Sequence, residues 1–547
     1  MTDAIRDGTT QGQLTLTRRE MLAAAAAAAI AAACSPALPS GGGPTGGSTA
    51  PVRGGIARLP IFNEPFPLNP IISNELSSLL VRRSLYSYLT RLDPVSKRPV
   101  PDLAKTWEVS PNGLVWTFNL RDDVSWHDEM PFTAEDVKFT FEQILEPKNT
   151  SVERTNYLDM TKIEAIDKYT VRFTLKNPLM SLPVISGATV GIVPKHLLEG
   201  KDLRTATSFN NEKPIGTGPF KIVSVVPGSH VEMAAYDKFY RGKPFLDGVV
   251  WKIVPDVNAR FAQLKAQELD YMTIEPSQLQ GIQGDSRFTL TEYAAPEYTY
   301  FIPRHGTPIF SDKRVRQALV YGLNRQAILD VAALGKGTLM VGTIPPALKD
   351  WHNSALKPYP FDPAKAKSLL DEAGWTAGAS GMRAKGGTPL KFEISVDTTS
   401  AIRRQMAVLA QQMYRDIGMD ASIKEVDRQI YSQMLQQKTF ELNISNTPHS
   451  WDPDTQRRFY ITNGGSNFGA YTNTKVDDLL NRGVQEVDVE KRKALYRELQ
   501  EVMYEDVHVV HGYHPTELRV TSTKLKGLPD LPLRDVMTYM DTWWLEK

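Results

Sequence analysis

The chain has 547 residues, with 63 Lys and Arg against 62 Asp and Glu, so no excess of charge points to nucleic acid or an anionic membrane surface. Hydrophobic residues make up 41% and charged residues 23%, ordinary proportions for a globular protein with material for more than one core. A single cysteine, Cys34, excludes an internal disulfide and a thiolate metal cage.

The first feature in chain order is an export segment. Arg18 and Arg19 stand just ahead of a run from Met21 to Ala33 that is almost all alanine. That run is too short and too weakly apolar to cross a bilayer core of about 30 Å as a stable helix. A basic pair, an apolar stretch and small residues together read as a secretion signal, and the paired arginines resemble the twin-arginine type. Ala31-Ala32-Ala33-Cys34 resembles a bacterial lipoprotein box, in which the cysteine is acylated and becomes the first mature residue. Residues 35–52 are rich in Ser, Pro, Gly and Thr. Such a segment cannot bury a core, and as a flexible tether it reaches about 25 Å. The expected division is a signal over 1–34, a linker over 35–53 and a globular body from 54.

The body alternates strands and helices. Strand patterns occur at Gly54–Pro60, Val115–Leu120, Thr170–Leu175, Phe220–Val226, Val249–Val254 and Lys391–Val396. Thr133 and Asp136 have capping-box spacing ahead of a helix carrying Val137, Phe141 and Ile144. Ser311 is expected to cap a helix bearing Val315, Leu319, Leu323 and Ile328. Asp362-Pro363 opens another helix, stopped by Gly374. Ile402, Met406, Leu409, Met413 and Ile417 form a further stripe ending at Gly418. These stripes are core at helical period rather than cofactor boxes.

Motifs for catalysis do not occur. There is no GxSxG elbow, P-loop, HExxH or paired CxxC, so the expectation is a binding protein that is not an enzyme and carries no cofactor. The alternative in another class is a secreted hydrolase. His508, His511 and His514 form a run that would share a face on a helix. The intervening Val-Val and Gly-Tyr favour strand or turn, which leaves only His508 and His514 on one side, and no metal site is assigned.

The segment 103–145, LAKTWEVSPNGLVWTFNLRDDVSWHDEMPFTAEDVKFTFEQIL, resembles the signature block of family-5 extracellular solute-binding proteins, which serve dipeptide, oligopeptide and nickel importers. Its matching elements include Trp107, Gly113, Trp116-Thr117-Phe118, Trp126-His127-Asp128 and Pro131-Phe132-Thr133-Ala134. Further blocks follow in family order: GTGPF from Gly216, VRQALVYGLNRQAI from Val315, FDPAKAKSLLDEAGW from Phe361, DPD at Asp452–Asp454 and YRELQEVMYED from Tyr496. The resemblance covers essentially everything from residue 54 onward.

It implies an α/β fold of two lobes, the periplasmic-binding-protein type II, cluster C-like architecture, with the ligand cleft between them. Lobe one would comprise 54–299 with a return over 512–547, and lobe two 300–511. The implied function is an extracytoplasmic receptor that captures a peptide-sized solute by lobe closure and delivers it to the membrane permease of an ATP-binding-cassette importer. A monomer is expected. A nickel-type metal-chelate carrier is the alternative within the family.

By resemblance to peptide-binding relatives, positions shortly after Leu68-Asn69-Pro70, here Asn74 and Leu76, line the cleft. Thr398 and Thr399 follow a strand's carboxyl end, where cleft loops gather in α/β folds. Relatives place a carboxylate four residues before the proline of the DP motif. That position is His449 here, within Asn446-Thr447-Pro448-His449-Ser450-Trp451. A neutral imidazole does not supply the fixed charge that a buried ammonium needs. Asn446, His449 and Trp451 are thus candidate ligand residues, with Trp451 suited to stacking, for a peptide, a modified peptide, or an opine-like or sugar-like compound. Asp452 and Asp454 are expected to bond locally. Labelling cells with radioactive palmitate is expected to mark the wild type and not Cys34→Ser; equal labelling of the two would exclude acylation at Cys34.

Overall fold

Alternating large apolar residues build the strands of the first half. The computed structural model describes residues 50–547 apart from Asn74 and His449, so the signal, Cys34 and nearly all of the linker lie outside the described residues. Residues 51–547 pack as one unit.

The first half runs through strand Ile56–Ile61 (β1), helix Leu76–Leu85 (α1) and strands Ala104–Val109 (β2) and Val115–Leu120 (β3). Helix Ala134–Leu145 (α2) precedes strands Met160–Asp167 (β4), Thr170–Leu175 (β5), Phe220–Val226 (β6), His230–Ala235 (β7) and Gly248–Ile253 (β8). One sheet has the order β2-β3-β5-β4 and a second the order β1-β8-β7-β6, where β1 is parallel to β8 with Ile56 opposite Gly248. In β3 and β5, Trp116, Phe118, Val171 and Phe173 point inward, and Phe118 meets Phe173 edge-on at 5.7 Å. Helix α2 starts as its sequence indicates: the Thr133 amide donates to the Asp136 carboxylate at 2.9 Å.

The GTGP turn fixes α1. The Gly218 amide donates to the Leu85 carbonyl at 2.9 Å. A Cβ on Gly216 would lie 1.9 Å from that same carbonyl oxygen, so only glycine allows the approach. His127 locks the turn, accepting at Nδ1 from the Gly216 amide and donating from Nε2 to the Gly218 carbonyl at 2.9 Å. Burial keeps this imidazole neutral, lowering its pKa to about 4.

Strands Tyr271–Ile274 (β9) and Phe288–Ala294 (β10) lead to Glu297–Pro303 (β11), which opens the second half. Helices Lys313–Tyr321 (α3), Arg325–Ala332 (α4) and Pro363–Glu372 (α5) follow, then strand Lys391–Asp397 (β12), helix Ala401–Asp416 (α6) and strands Asp420–Val426 (β13) and Leu442–Pro448 (β14). Helix Val489–Asp506 (α7) leads into the long strand Val510–Ser522 (β15). The large sheet has the order β9-β15-β11-β14-β12-β13, and β10 also pairs with β15. Two expectations for this half need correction. Asp312, not Ser311, caps α3, accepting from the Arg314 amide at 2.9 Å, while the Ser311 hydroxyl turns back to the Pro308 carbonyl. The helix also stops at Gly322, so Ile328 belongs to α4.

Packing divides where β11 begins and within β15. One apolar core draws on residues 57–271 and 525–543. The cores of the other half draw on residues 298–513. The chain therefore passes between the two bodies at Ala295-Pro296 and again along β15. At the second passage a Cβ on Gly512 would lie 2.1 Å from the Thr299 carbonyl oxygen, so β15 meets β11 at a spacing that excludes any side chain.

Candidate ligand-binding cleft

A cavity of about 340 Å³ lies where the two bodies meet, within the range of small-molecule sites. Several stretches of chain enclose it. Helix α1 presents Leu76, Leu79, Arg82 and Arg83, spaced three or four apart and therefore on neighbouring rows of one face. The chain passages contribute Glu297 and Glu517, the segment after β14 contributes Trp451 and Arg458, and the C-terminal return contributes Arg534 and Asp535.

The cleft holds charges of both signs. Arg82 is buried and donates to the Ser73 carbonyl at 2.6 Å, and burial lowers its pKa. Arg534 opens to the cavity yet is ringed by protein, and loss of solvation lowers its pKa as well. Burial raises the Glu297 carboxyl above its ordinary value, against the pull of Arg534 and a hydrogen bond from Asn446. Glu517 accepts from the Leu533 amide at 2.9 Å. Burial, with Glu297 and Asp535 nearby, pushes it up to about 7, against the Leu533 bond and the charge of Arg519. Among the described residues, no ion pair engages Arg82, Arg534, Glu297 or Glu517. Arg83 is 3.8 Å from Asp535.

Of the residues singled out in the sequence, Leu76, Asn446 and Trp451 line this cavity. Asn74 and His449 lie outside the described residues. Thr398 and Thr399 are exposed and do not line it. The Thr399 amide and hydroxyl turn instead to Asp397, a buried acid that also holds Arg403, whose guanidinium reaches Asn446 Oδ1 at 3.2 Å. Thr399 thus joins the cleft only through that chain of side chains, while the Thr398 amide donates to the Val426 carbonyl. Asp452 and Asp454 also differ from expectation. Beyond a local cap to the Asp454 amide, both carboxylates meet buried Arg492 on α7, each at 2.6 Å.

His511 and His514 lie on β15, and His508 just precedes it. All three are buried. His514 Nδ1 donates to the Glu297 carbonyl at 3.0 Å. Burial lowers His508 to about 3 and His514 to about 4, so these rings are neutral core groups at physiological pH.

Sequence reasoning passed over the charged wall. Arg82 and Arg83 are the charged residues of a helix otherwise built from Leu, Val and Ser, LSSLLVRRSL, and two adjacent cations on a buried helix were the available signal. Glu297 and Glu517 gave none, because each sits in an ordinary strand pattern.

Residues 98–469 match the family model described as bacterial extracellular solute-binding proteins, family 5 Middle. The oligopeptide-binding protein AppA of Bacillus subtilis (strain 168) is 27% identical over 511 residues, covering 91% of this chain and 93% of the relative. The dipeptide-binding protein of Escherichia coli (strain K12) is 27% identical, over 82% of this chain and 87% of its own. Among solved structures, NikZ from Campylobacter jejuni in complex with Ni(L-His) superposes with a TM-score of 0.80 at 28% identity, covering 89% of this chain and 99% of that one.

The pH behaviour of Glu517 gives a test of the cleft's electrostatics. Its native pKa, about 7, lies above the ordinary 4.5, so the folded protein holds a proton there that the unfolded chain has lost. The stabilisation is full below pH 4.5 and is lost as pH rises through 7. Thermal melts of the ligand-free protein are expected to show Glu517→Gln close to wild type at pH 4 and more stable at pH 8, by at most about 3 kcal/mol. The histidine contributions are common to both proteins and cancel in the comparison. Parallel curves at all pH values would contradict the placement of this carboxyl.

Proposed function

Since the chain belongs to family 5 of the bacterial extracellular solute-binding proteins and is the solute-binding component of an ATP-binding-cassette importer, we propose that its solute is a peptide-sized zwitterion. The observation that carries this is the pairing of opposite charges in one cavity. Arg82 and Arg534 offer guanidinium donors to a carboxylate. Glu297 and Glu517 offer acceptors to an ammonium, the partner that His449 does not supply. A solute bearing both groups satisfies both walls, and burying either wall against a neutral compound leaves charge unpaired at a cost of several kcal/mol.

The two walls also account for capture by closure. Glu297 and Glu517 sit on the passages between the bodies, the arginines on the first body, and Trp451 on the second. A solute touching all of them favours the state in which they are together. Names of relatives support a peptide: AppA is described as oligopeptide-binding and the Escherichia coli relative as dipeptide-binding. An amino-acid chelate of a metal, as in the NikZ structure, presents related charges and is the second reading.

Among the described residues no helix is long and apolar enough to cross a membrane. Tethering to the membrane through acylated Cys34, after export by the Arg18-Arg19 signal, belongs to the same proposal and rests on the sequence alone.

Mass spectrometry of the small molecules that leave the purified protein on denaturation is expected to show free, unmodified peptides. Arg534→Met is expected to weaken their binding by on the order of a hundredfold, the effect of leaving a buried charge unpaired. A neutral sugar in stoichiometric amount would contradict the zwitterion reading, and stoichiometric metal in the same sample would favour the chelate.

A further inference from the structure

Trp451 lines the cleft, and it also lines a second, smaller void. Trp451, Arg83 and Asp535 line both spaces. The void measures about 20 Å³ and is completed by Thr90, Leu92 and Val184. That is room for about one water molecule. The indole between the two spaces is held from two sides. Its Nε1 donates to Asp535 Oδ2 at 2.8 Å. Lys97 Nζ lies 5.6 Å from the ring centroid and is itself anchored on the Pro94 and Asp530 carbonyls.

Trp451 belongs to the second body, whereas Lys97, Arg83 and Asp535 belong to the first. The partition therefore exists only when the bodies are together. A second, exposed contact across the same gap pairs Arg98 with Asp350 at 2.8 Å. An indole hydrogen-bonded at its one donor and packed against a cation is a rigid stop rather than an adaptable lining. The space behind it is too small to hold any part of a solute while the ring is in place.

We propose that Trp451, locked by Asp535 and Lys97, is the wall that limits solute length, and that the void behind it is an unused extension of the same cleft. The proposal rests on the reading of the cleft as a site for peptide-sized zwitterions. Trimming the indole joins the void to the cavity and adds the volume of the ring itself. A peptide longer by one residue then fits with both charged ends still on their walls.

The test exposes full-length wild type, Trp451→Ala and Trp451→Leu to a peptone digest, washes each, denatures it and weighs every released solute whatever its class. The expected result is an upward shift in mass for Trp451→Ala. Peptides one residue longer than those of wild type should be enriched by on the order of tenfold, as burial of one or two further methylene groups gives. Trp451→Leu keeps an apolar filler and should shift less in the same direction; should Trp451→Ala not fold, its shift decides. Identical mass distributions, or no solute from any of the proteins, overturn the wall. An upward shift among solutes that are not peptides ends the peptide reading and leaves the wall standing.

Discussion

Strand Val510–Ser522 and its neighbour Glu297–Pro303 meet at a spacing set by Gly512, and the rest of the molecule is arranged around that contact. The start of the long strand pairs with the second body and its end pairs with Tyr271–Ile274 and Phe288–Ala294. One continuous strand thus belongs to both bodies. Such a strand resists translation of one body past the other, because sliding would break its ladder, but permits bending where the register shifts between Thr299 and Phe301. Hinge motion about a few residues is what this geometry leaves available. The cleft lies beside this pivot, and two of its acids, Glu297 and Glu517, are on the crossing segments themselves.

Buried polar groups fix what must not move. His514 joins the two crossings by donating to the Glu297 carbonyl, and its burial in neutral form keeps an acid-labile charge out of the pivot. Arg492 holds Asp452 and Asp454 immediately after Trp451. Replacing a buried ion pair by apolar groups is often neutral in stability, so the role of this triad is to place a loop. It anchors the base of the segment that carries the tryptophan wall, while Asp535 and Lys97 determine where the ring rests.

Local signals in the sequence were strong wherever burial or backbone geometry leaves a pattern. Val115–Leu120, Thr170–Leu175 and Phe220–Val226 are strands with the bounds their alternation indicated. The Thr133–Asp136 cap and the GTGP turn were equally legible. Ser311 was misread because two cap-forming residues stand side by side, and the choice between them depends on which side chain reaches the first free amides. The cleft was legible in part. Leu76, Asn446 and Trp451 reach it, as positions next to recognisable family blocks. Glu517 and Arg534 are far from the rest of the site in sequence, and their meeting depends on the course of the C-terminal return. Thr398 and Thr399 stand at a strand's carboxyl end as the topology rule asks, but Thr399 bonds Asp397, which also holds Arg403, and the Thr398 amide pairs with Val426. A rule about loop position does not foresee where a buried charge will take its hydrogen bonds.

The central claim is that two bodies close over a solute about the crossing strands, and small-angle X-ray scattering tests it most directly. Scattering is recorded on protein stripped of solute and again after adding back, at saturation, the molecule released on denaturation. The account predicts a smaller radius of gyration with the solute bound. An unchanged radius at saturation would contradict it.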